Sequence, residues 1–327
     1  MSSFPRVHVT APSRLHFGLW SLGGGGQRDV RQFGGVGTMI EQPGLKLSLE
    51  PASQLTASGA MSDRAVAFAR RWADFHGREV PTCGIRIESA PPEHVGLGTG
   101  TQLALAVAAG LNAFCKLPSQ TPPELAQSVG RGLRSAVGTY GFVMGGLIVE
   151  QGKLPGEPIS PLDCRIDFPA DWRLVLVRHH DAAGLSGEEE AEAIAELPAV
   201  PHSVTDDLIA EVRDRLVPAV ATADFATFAA SLYRYGNLAG QCFAARQGGP
   251  YNGPILTELV EQIRNLGHVG VGQSSWGPTL FVAAQSQDAA LSLVAQLREE
   301  DRDQRLELQI SQPCNTGAKV EVRMAKH

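Results

Sequence analysis

The stretch Glu93-His94-Val95-Gly96-Leu97-Gly98-Thr99-Gly100-Thr101-Gln102 places alternating glycines directly before an apolar run, Leu103 to Phe114. Upstream, Cys83 to Ser89 (CGIRIES) alternates as a strand does, and the Leu/Ala-rich run downstream reads as a buried helix. A strand, a glycine loop and a helix in that order make an anion site. Glycines let backbone N–H groups approach a guest closely, and the helix N-terminus adds about half a positive charge. The hydroxyls of Thr99 and Thr101 add donors or face a metal ion. The expected guest is a phosphate or diphosphate. The loop is not the Walker pattern, because no Lys follows its last glycine, and its Gly-x-Gly-x-Gly spacing is not the dinucleotide fingerprint. On this segment alone a plain tight turn is the competing reading.

Outward from the loop, Arg6 to Thr10, Val36 to Ile40 and Leu45 to Pro51 read as strands, and Asp63 to His76 as a helix with Val66, Phe68, Trp72 and Phe75 at helical spacing. Pro122 to Val129 reads as a short helix and Phe142 to Glu150 as a strand. The Gly- and Pro-rich segment Gln151 to Pro169 reads as a linker between two parts, 1–165 and 166–327. In the second part Trp172 to Arg178 is an expected strand, and Glu188–Ala195, Thr205–Leu216, Phe225–Arg246 and Pro254–Leu266 are expected helices. Val269 to Ala284 holds a glycine loop and a strand, Ala289–Glu299 a helix, and Leu306–Ser311 and Ala318–Met324 look like paired strands. The pattern is that of an α+β layer structure.

The 327 residues, 43% hydrophobic and 19% charged, suffice for a sizeable core in one large or two modest domains. A formal net charge of −6 argues against general nucleic-acid binding and against an anionic membrane surface, while leaving local Arg clusters free to bind a small anion. The five cysteines (Cys83, Cys115, Cys164, Cys242, Cys314) show no metal-ligand or redox spacing and read as reduced thiols. The segment MSSFPRVHVT lacks the apolar core of a signal peptide, and no apolar run is long enough for a membrane span, so a cytoplasmic protein is expected.

Three stretches, APSRLHFGL (Ala11–Leu19), HVGLGTGTQLALAVA (His94–Ala108) and VGVGQSSWGPTLF (Val269–Phe281), resemble the three motifs of the GHMP kinase superfamily. Within it the chain is similar to the β-ribofuranosylaminobenzene 5′-phosphate synthases. That likeness is carried by SRLHFGL, RQFGGVG (Arg31–Gly37), GRGLRSAVGTYGF (Gly130–Phe142), GLSGEEE (Gly184–Glu190), RQGGPY (Arg246–Tyr251) and GQSSWGP (Gly272–Pro278). Two segments depart from the pattern: Gln32-Phe33 where an acidic residue often precedes the paired glycines, and Gly132-Leu133-Arg134-Ser135 where Gly-Gly-Thr-Ser is frequent. The resemblance implies an N-terminal half like domain 2 of ribosomal protein S5, a C-terminal ferredoxin-like half, and a site in the cleft between them. It implies that 5-phosphoribosyl 1-diphosphate and 4-aminobenzoate, or a close aromatic acid, give a C-riboside 5′-phosphate, CO₂ and diphosphate, an early step towards tetrahydromethanopterin-type one-carbon carriers. Mg²⁺ is the expected cofactor and no ATP is expected; the metal ligands are not legible, and a homodimer is compatible with the likeness.

Such a reaction ionises the anomeric C–O bond, so negative charge builds on the departing diphosphate. A backbone cradle, arginines and Mg²⁺ would stabilise it. Gly96, Leu97, Gly98, Thr99, Gly100, Thr101 and Gln102 are the candidates for the cradle. Arg14 and His16 share a face if the first strand continues, and are candidates for a phosphate or carboxylate contact, with an ion pair at a strand end as the alternative. Arg131 and Arg134, beside Ser135 and among glycines, suggest an anion clamp, against bare surface arginines. Arg14, His16, Arg134 and Ser135 are taken as the catalytic candidates.

In GQSSWGP, Ser274 and Ser275 offer hydroxyls and Trp276 a ring to stack on an aromatic substrate; a hairpin with a buried Trp is the alternative. Gln247 and Tyr251 are carried over as pocket-lining candidates. Phe17, Trp20 and Phe33 could form an aromatic pocket or simply be core. His179, His180 and Asp181 lack a third ligand at a recognised spacing and read as an ordinary loop. Ser186 reads at least as well as a helix cap as a substrate contact.

Two other functions stay open at this level. One is an ATP-dependent small-molecule kinase of the same superfamily. Against it, Arg14 stands where such kinases often carry a Lys, and Gly130–Gly145 holds no Asp or Glu for a base. The other is a non-catalytic phosphometabolite-binding protein, against which three polar glycine loops argue.

Overall fold

In the computed structural model, residues 5–21, 30–184 and 196–324 are described. Two long strands organise the first sheet: β1 (Pro5–Leu19) and β2 (Gly35–Pro51). In β1 the side chains of Val7, Val9 and Ala11 alternate into the core, as the period of a half-buried strand requires. β1 and β2 pair antiparallel over nearly their whole length, with register shifts between Ala11 and Ser13 and between His16 and Gly18. The other edge of β2 is shared. Its first residues pair with β5 (Leu147–Glu150) and its last with β4 (Cys83–Ser89), beyond which lies β3 (Thr56–Ser58). Helices α1 (Ser62–Phe75), α2 (Thr99–Phe114) and α3 (Pro122–Ser128) cover the lower part of this sheet. α3 starts as its sequence asks: Thr121 and Glu124 form a reciprocal capping box, with Pro122 at the first helical position.

The second sheet is wholly antiparallel, in the order β10 (Leu306–Ser311), β7 (Arg173–His179), β9 (Thr279–Ala284), β8 (Val271–Gln273). The helices Gly253–Asn265 and Gln287–Glu300 pack on one face with Val175, Val177, Leu280 and Val282. On the other face Leu174, Leu176 and Phe281 join Leu15, Phe17 and Val36 of the first sheet and Phe228, Leu232 and Tyr235 of the helix Phe225–Gln241. This shared core fixes one sheet against the other.

Several expectations are corrected. Phe142 to Glu150 is not one strand: α4 (Val137–Met144) ends at Gly145 and Gly146, both at positive φ, and only then does β5 begin. α4 is apolar on all sides because it is buried on nearly all sides, so it shows no helical period to read. The supposed linker contains β6 (Leu162–Ile166), which pairs with β5. The last two strands do not pair with each other. β10 joins β7, whereas β11 (Lys319–Met324) returns to the first sheet and pairs with β1. Alternation marks a strand but not its partner. The helix expected over Phe225–Arg246 breaks into Phe225–Gln241 and Ala244–Gln247. The one expected over Thr205–Leu216 starts at His202, passes through a π-helical turn at Glu211–Leu216 and continues to Ala221. The expected helix Glu188–Ala195 lies outside the described residues.

Candidate active site

A cavity of about 400 Å³ opens where β1, the glycine loop, the 130–135 loop and the 274–277 loop converge. Its lining includes Arg14, His16, Gly96, Leu97, Gly98, Thr99, Gly100, Thr101, Arg131, Arg134, Ser135, Ser275 and Trp276. The sequence candidates thus meet from distant parts of the chain. β1 continues past Thr10 as the Arg14/His16 reading required.

Short backbone bonds lock the loops together. The Arg14 N–H donates to Leu97 O at 3.0 Å, and the Ser275 N–H to His16 O at 3.2 Å. Ser274, fully buried, donates from Oγ to Gly96 O at 2.7 Å and accepts from the His16 N–H at 3.1 Å. Its role is therefore to join three segments, and it does not line the cavity. Gly98 caps α2 in the left-handed region, φ 70°, and a Cβ on Gly96 would run into the Ser274 carbonyl. The glycines are where left-handed turns and close packing demand them. The N-terminus of α2 consequently faces the cavity, as an anion site needs.

Charge in the cavity is opposite to that of the whole protein. Among the described residues Arg14, Arg64, Arg131 and Arg134 line it against one carboxylate, Glu93, which is ion-paired with Arg64. Arg64 was not singled out from the sequence, because α1 reads as an ordinary amphipathic helix. Burial, with Arg64 and Arg71 nearby, pushes the Arg131 guanidinium down to about 10. It lies over the Phe68 ring, 4.9 Å from the centroid.

Behind the cavity wall sits Glu150, at the end of β5, fully buried and unread from the sequence. Its Oε2 accepts from the Ala136 N–H at 2.6 Å. Its Oε1 lies 4.0 Å from His16 Nε2, which is also 3.1 Å from Ser135 Oγ. Burial raises the Glu150 carboxyl from 4.5 to about 7, against the opposing pull of Ser135, the Ala136 amide, Ser160 and Arg14. Burial, and then Arg14, hold His16 well below the usual imidazole range. Both shifts favour the uncharged pair, so His16 is a neutral imidazole that Ser135 orients.

Beside the cavity lies an apolar crevice of about 50 Å³, lined by Phe17, Phe243, Gln247, Pro250 and others. His16, Leu19, Ser275 and Trp276 line both spaces. Gln247 is placed here as expected of a lining residue. Tyr251 is not: it is buried in the apolar cluster under the second sheet and lines neither space. Gln102 is likewise turned inward, its Nε2 donating to Gly138 O at 2.9 Å. Of the three aromatics, Phe17 and Trp20 are core and Phe33 packs against the Phe243/Trp276 cluster. The His179/Asp181 region is a loop, with Asp181 paired to Arg305. Ser186 lies outside the described residues.

Among the described residues no group of three His, Cys, Asp or Glu side chains could hold a metal ion. A magnesium ion carried by a diphosphate asks for less, because it keeps waters and takes one or two protein oxygens. Thr99 and Thr101 line the cavity and carry oxygens of that kind, whereas Glu93, which also lines it, is ion-paired with Arg64.

The family described as GHMP kinases N terminal domain matches residues 61–146, and that described as GHMP kinases C terminal matches 216–303. The chain is 28% identical to a beta-ribofuranosylphenol 5'-phosphate synthase of Archaeoglobus fulgidus, over 97% of this chain and 100% of that one. It is 28% identical to the protein of the same name from Methanothermobacter thermautotrophicus, over 84% of this chain and 87% of that one. In structure it resembles mevalonate pyrophosphate decarboxylase from Streptococcus pyogenes (TM-score 0.70, 10% identity, 95% and 98% covered). It also resembles homoserine kinase from Cytophaga hutchinsonii (TM-score 0.67, 14% identity, 97% of each chain). These two likenesses speak for the fold alone.

Proposed function

We propose, for a chain that belongs to the GHMP kinase superfamily, the activity of a C-riboside 5′-phosphate synthase. The substrates are 5-phosphoribosyl 1-diphosphate and a para-substituted benzoate; the products are the C-riboside 5′-phosphate, diphosphate and CO₂, on the route to tetrahydromethanopterin. The observation that carries this reading is the cavity itself. Four arginines and a helix N-terminus surround a space sized for a doubly phosphorylated sugar, in a chain matched almost end to end by synthases.

The anomeric C–O bond breaks and diphosphate leaves with the electron pair. The amides at the start of α2 and the guanidinium groups of Arg14 and Arg134 take up its growing charge. Arg131 and Arg64 hold the 5′-phosphate end. The ring carbon bearing the carboxylate attacks the anomeric carbon, pushed by the para substituent. The C–CO₂ bond then breaks, its electrons restore aromaticity, and CO₂ leaves, so no base is needed at that carbon. A neutral His16 stands at the junction of the two spaces and adds no positive charge beside the forming cationic intermediate. Mg²⁺, held by the hydroxyls of Thr99 and Thr101 together with the diphosphate, would supply further charge neutralisation.

The relatives' names carry a phenol where the resemblance had suggested an aminobenzene. Both acids have a para group that donates electrons to the reacting carbon, and both belong to the proposed class. The kinase alternative is not favoured: among the described residues the carboxylate lining the cavity, Glu93, is engaged by Arg64, and Glu150 is sealed behind His16 and Ser135. No helix among the described residues is long and apolar enough to cross a membrane. A cytoplasmic location and a homodimer complete the reading; the expected division at 165/166 cuts β6, and β11 returns to the first sheet, so the two parts do not separate there. Incubation with the donor, Mg²⁺ and each acid, followed by mass spectrometry, tests it. A product with a ribose–ring C–C bond and no carboxyl group supports the activity, and unchanged substrates oppose it.

A further inference from the structure

Two residues that line the crevice beside His16 each carry a buried polar atom without a hydrogen-bond partner among the described residues: Gln247 Oε1 and Trp276 Nε1. Gln247 is 8% exposed and Trp276 7%. Gln247 Nε2 donates to Gly240 O at 3.1 Å, which fixes the amide so that Oε1 is left as an acceptor. Trp276 Nε1 can only donate, and its ring is held edge-to-face against Phe243 with centroids 4.9 Å apart. One fixed acceptor and one fixed donor, not bonded to each other, belong to two residues that line one apolar space. Leaving both unpaired is costly, so the space is made for something that bonds both.

We propose that this crevice is the subsite for the para substituent of the aromatic acid, with Gln247 and Trp276 as the specificity-determining pair that favours hydroxyl over amino. The proposal rests on the synthase reading. At about 50 Å³ the crevice is too small for a whole ring, since a benzene molecule occupies a cavity of roughly 150 Å³. It takes the para end, and the carboxylate-bearing carbon then faces the anomeric carbon in the larger cavity. His16 and Ser275, which line both spaces, stand at that boundary. A phenolic hydroxyl donates to Gln247 Oε1 and accepts from Trp276 Nε1 at once. An aromatic amine donates well but accepts poorly, because its lone pair is drawn into the ring, so it leaves the indole N–H unpaired. A site built to bond a hydroxyl rejects analogues that lack it.

The test compares 4-hydroxybenzoate, 4-aminobenzoate and 4-methylbenzoate by calorimetric binding, and the first two also by turnover. Wild-type protein is expected to bind the hydroxy acid about tenfold or more tightly than the methyl isostere, and to prefer it to the amino acid in kcat/KM. Trp276→Phe keeps the packing against Phe243 and Gln247→Leu removes the acceptor. In each, with an unchanged melting curve, the hydroxy-over-amino preference should fall about tenfold. Equal binding of the hydroxy and methyl acids by the wild type, or a preference unmoved by either variant, overturns the subsite, with a trapped water as the remaining occupant. Selective binding of the hydroxy acid without CO₂ release from any acid would keep the subsite and defeat the synthase reading instead.

Discussion

Arg14 and Arg134 bear the anion-binding claim at the scale of single side chains. A charge-assisted bond to phosphate or diphosphate contributes roughly 1.5–3 kcal/mol. Arg14→Ala and Arg134→Ala should therefore each lower kcat/KM by about one to two powers of ten, with melting temperatures little changed. Lys at either position should restore activity only in part, because it lacks the two-pronged fork. Steady-state kinetics within about threefold of wild type in these variants would remove the arginines from the site.

Glu150 makes a separate prediction about pH. Its carboxyl, raised from 4.5 to about 7, holds a proton in the folded protein that the unfolded chain has lost across that window. Stability from this group therefore falls as pH rises through it and levels off above, a cost on the order of 3 kcal/mol at full extent. His16, held low, has the opposite sign: its contribution rises with pH up to its unfolded value, so the two offset each other in slightly acidic solution. Glu150→Gln removes one and leaves the other. The variant should gain stability relative to wild type between about pH 5 and 7, read as the difference of two denaturation series. A difference that does not move with pH would mean that Glu150 is ionised throughout. The sequence could not mark this residue, since it ends a short apolar strand and reads as a strand-end carboxylate. Arg14 and His16 were singled out by alternation along the first strand, and Ser135 by the arginines and glycines of its loop.

Among the elements, the glycine loop is the part the sequence disclosed most fully. Its strand lies where alternation placed it, and its helix begins at Thr99, ahead of the Leu/Ala run, so that Thr99, Gly100 and Thr101 form the first turn. Gly98 at φ 70° tests whether that geometry serves binding. A valine there would be strained by about 1–2 kcal/mol, and its Cβ would come within 3.3 Å of the Arg14 side chain. Gly98→Val should weaken donor affinity at least tenfold in a protein still folded by its melting curve; undiminished affinity would leave the loop a structural turn. Ser274 shows the limit of motif reading. The polar loop was recognised, but the hydroxyl expected to meet substrate instead joins the backbones of His16 and Gly96. Part of α4 was misread as strand for a related reason, as burial on nearly all sides erases the period that distinguishes helix from strand.

At the scale of the whole molecule, the two sheets share a core, and β11 returns from the C-terminal region to pair with β1, the strand that carries Arg14 and His16. Local pattern gives strands without their partners, so this closure was not legible, although the α+β class was. The architecture sets a basic cavity at the junction of an acidic protein, which suits a substrate with several negative charges and a reaction that expels diphosphate. The most direct measurement follows both leaving groups together. With carboxyl-labelled 4-hydroxybenzoate or 4-aminobenzoate, 5-phosphoribosyl 1-diphosphate and Mg²⁺, labelled CO₂ and diphosphate should appear in equal amounts, require the ribosyl donor, and be indifferent to ATP. ATP consumption with a small alcohol, and no labelled CO₂ from either acid, would contradict the account.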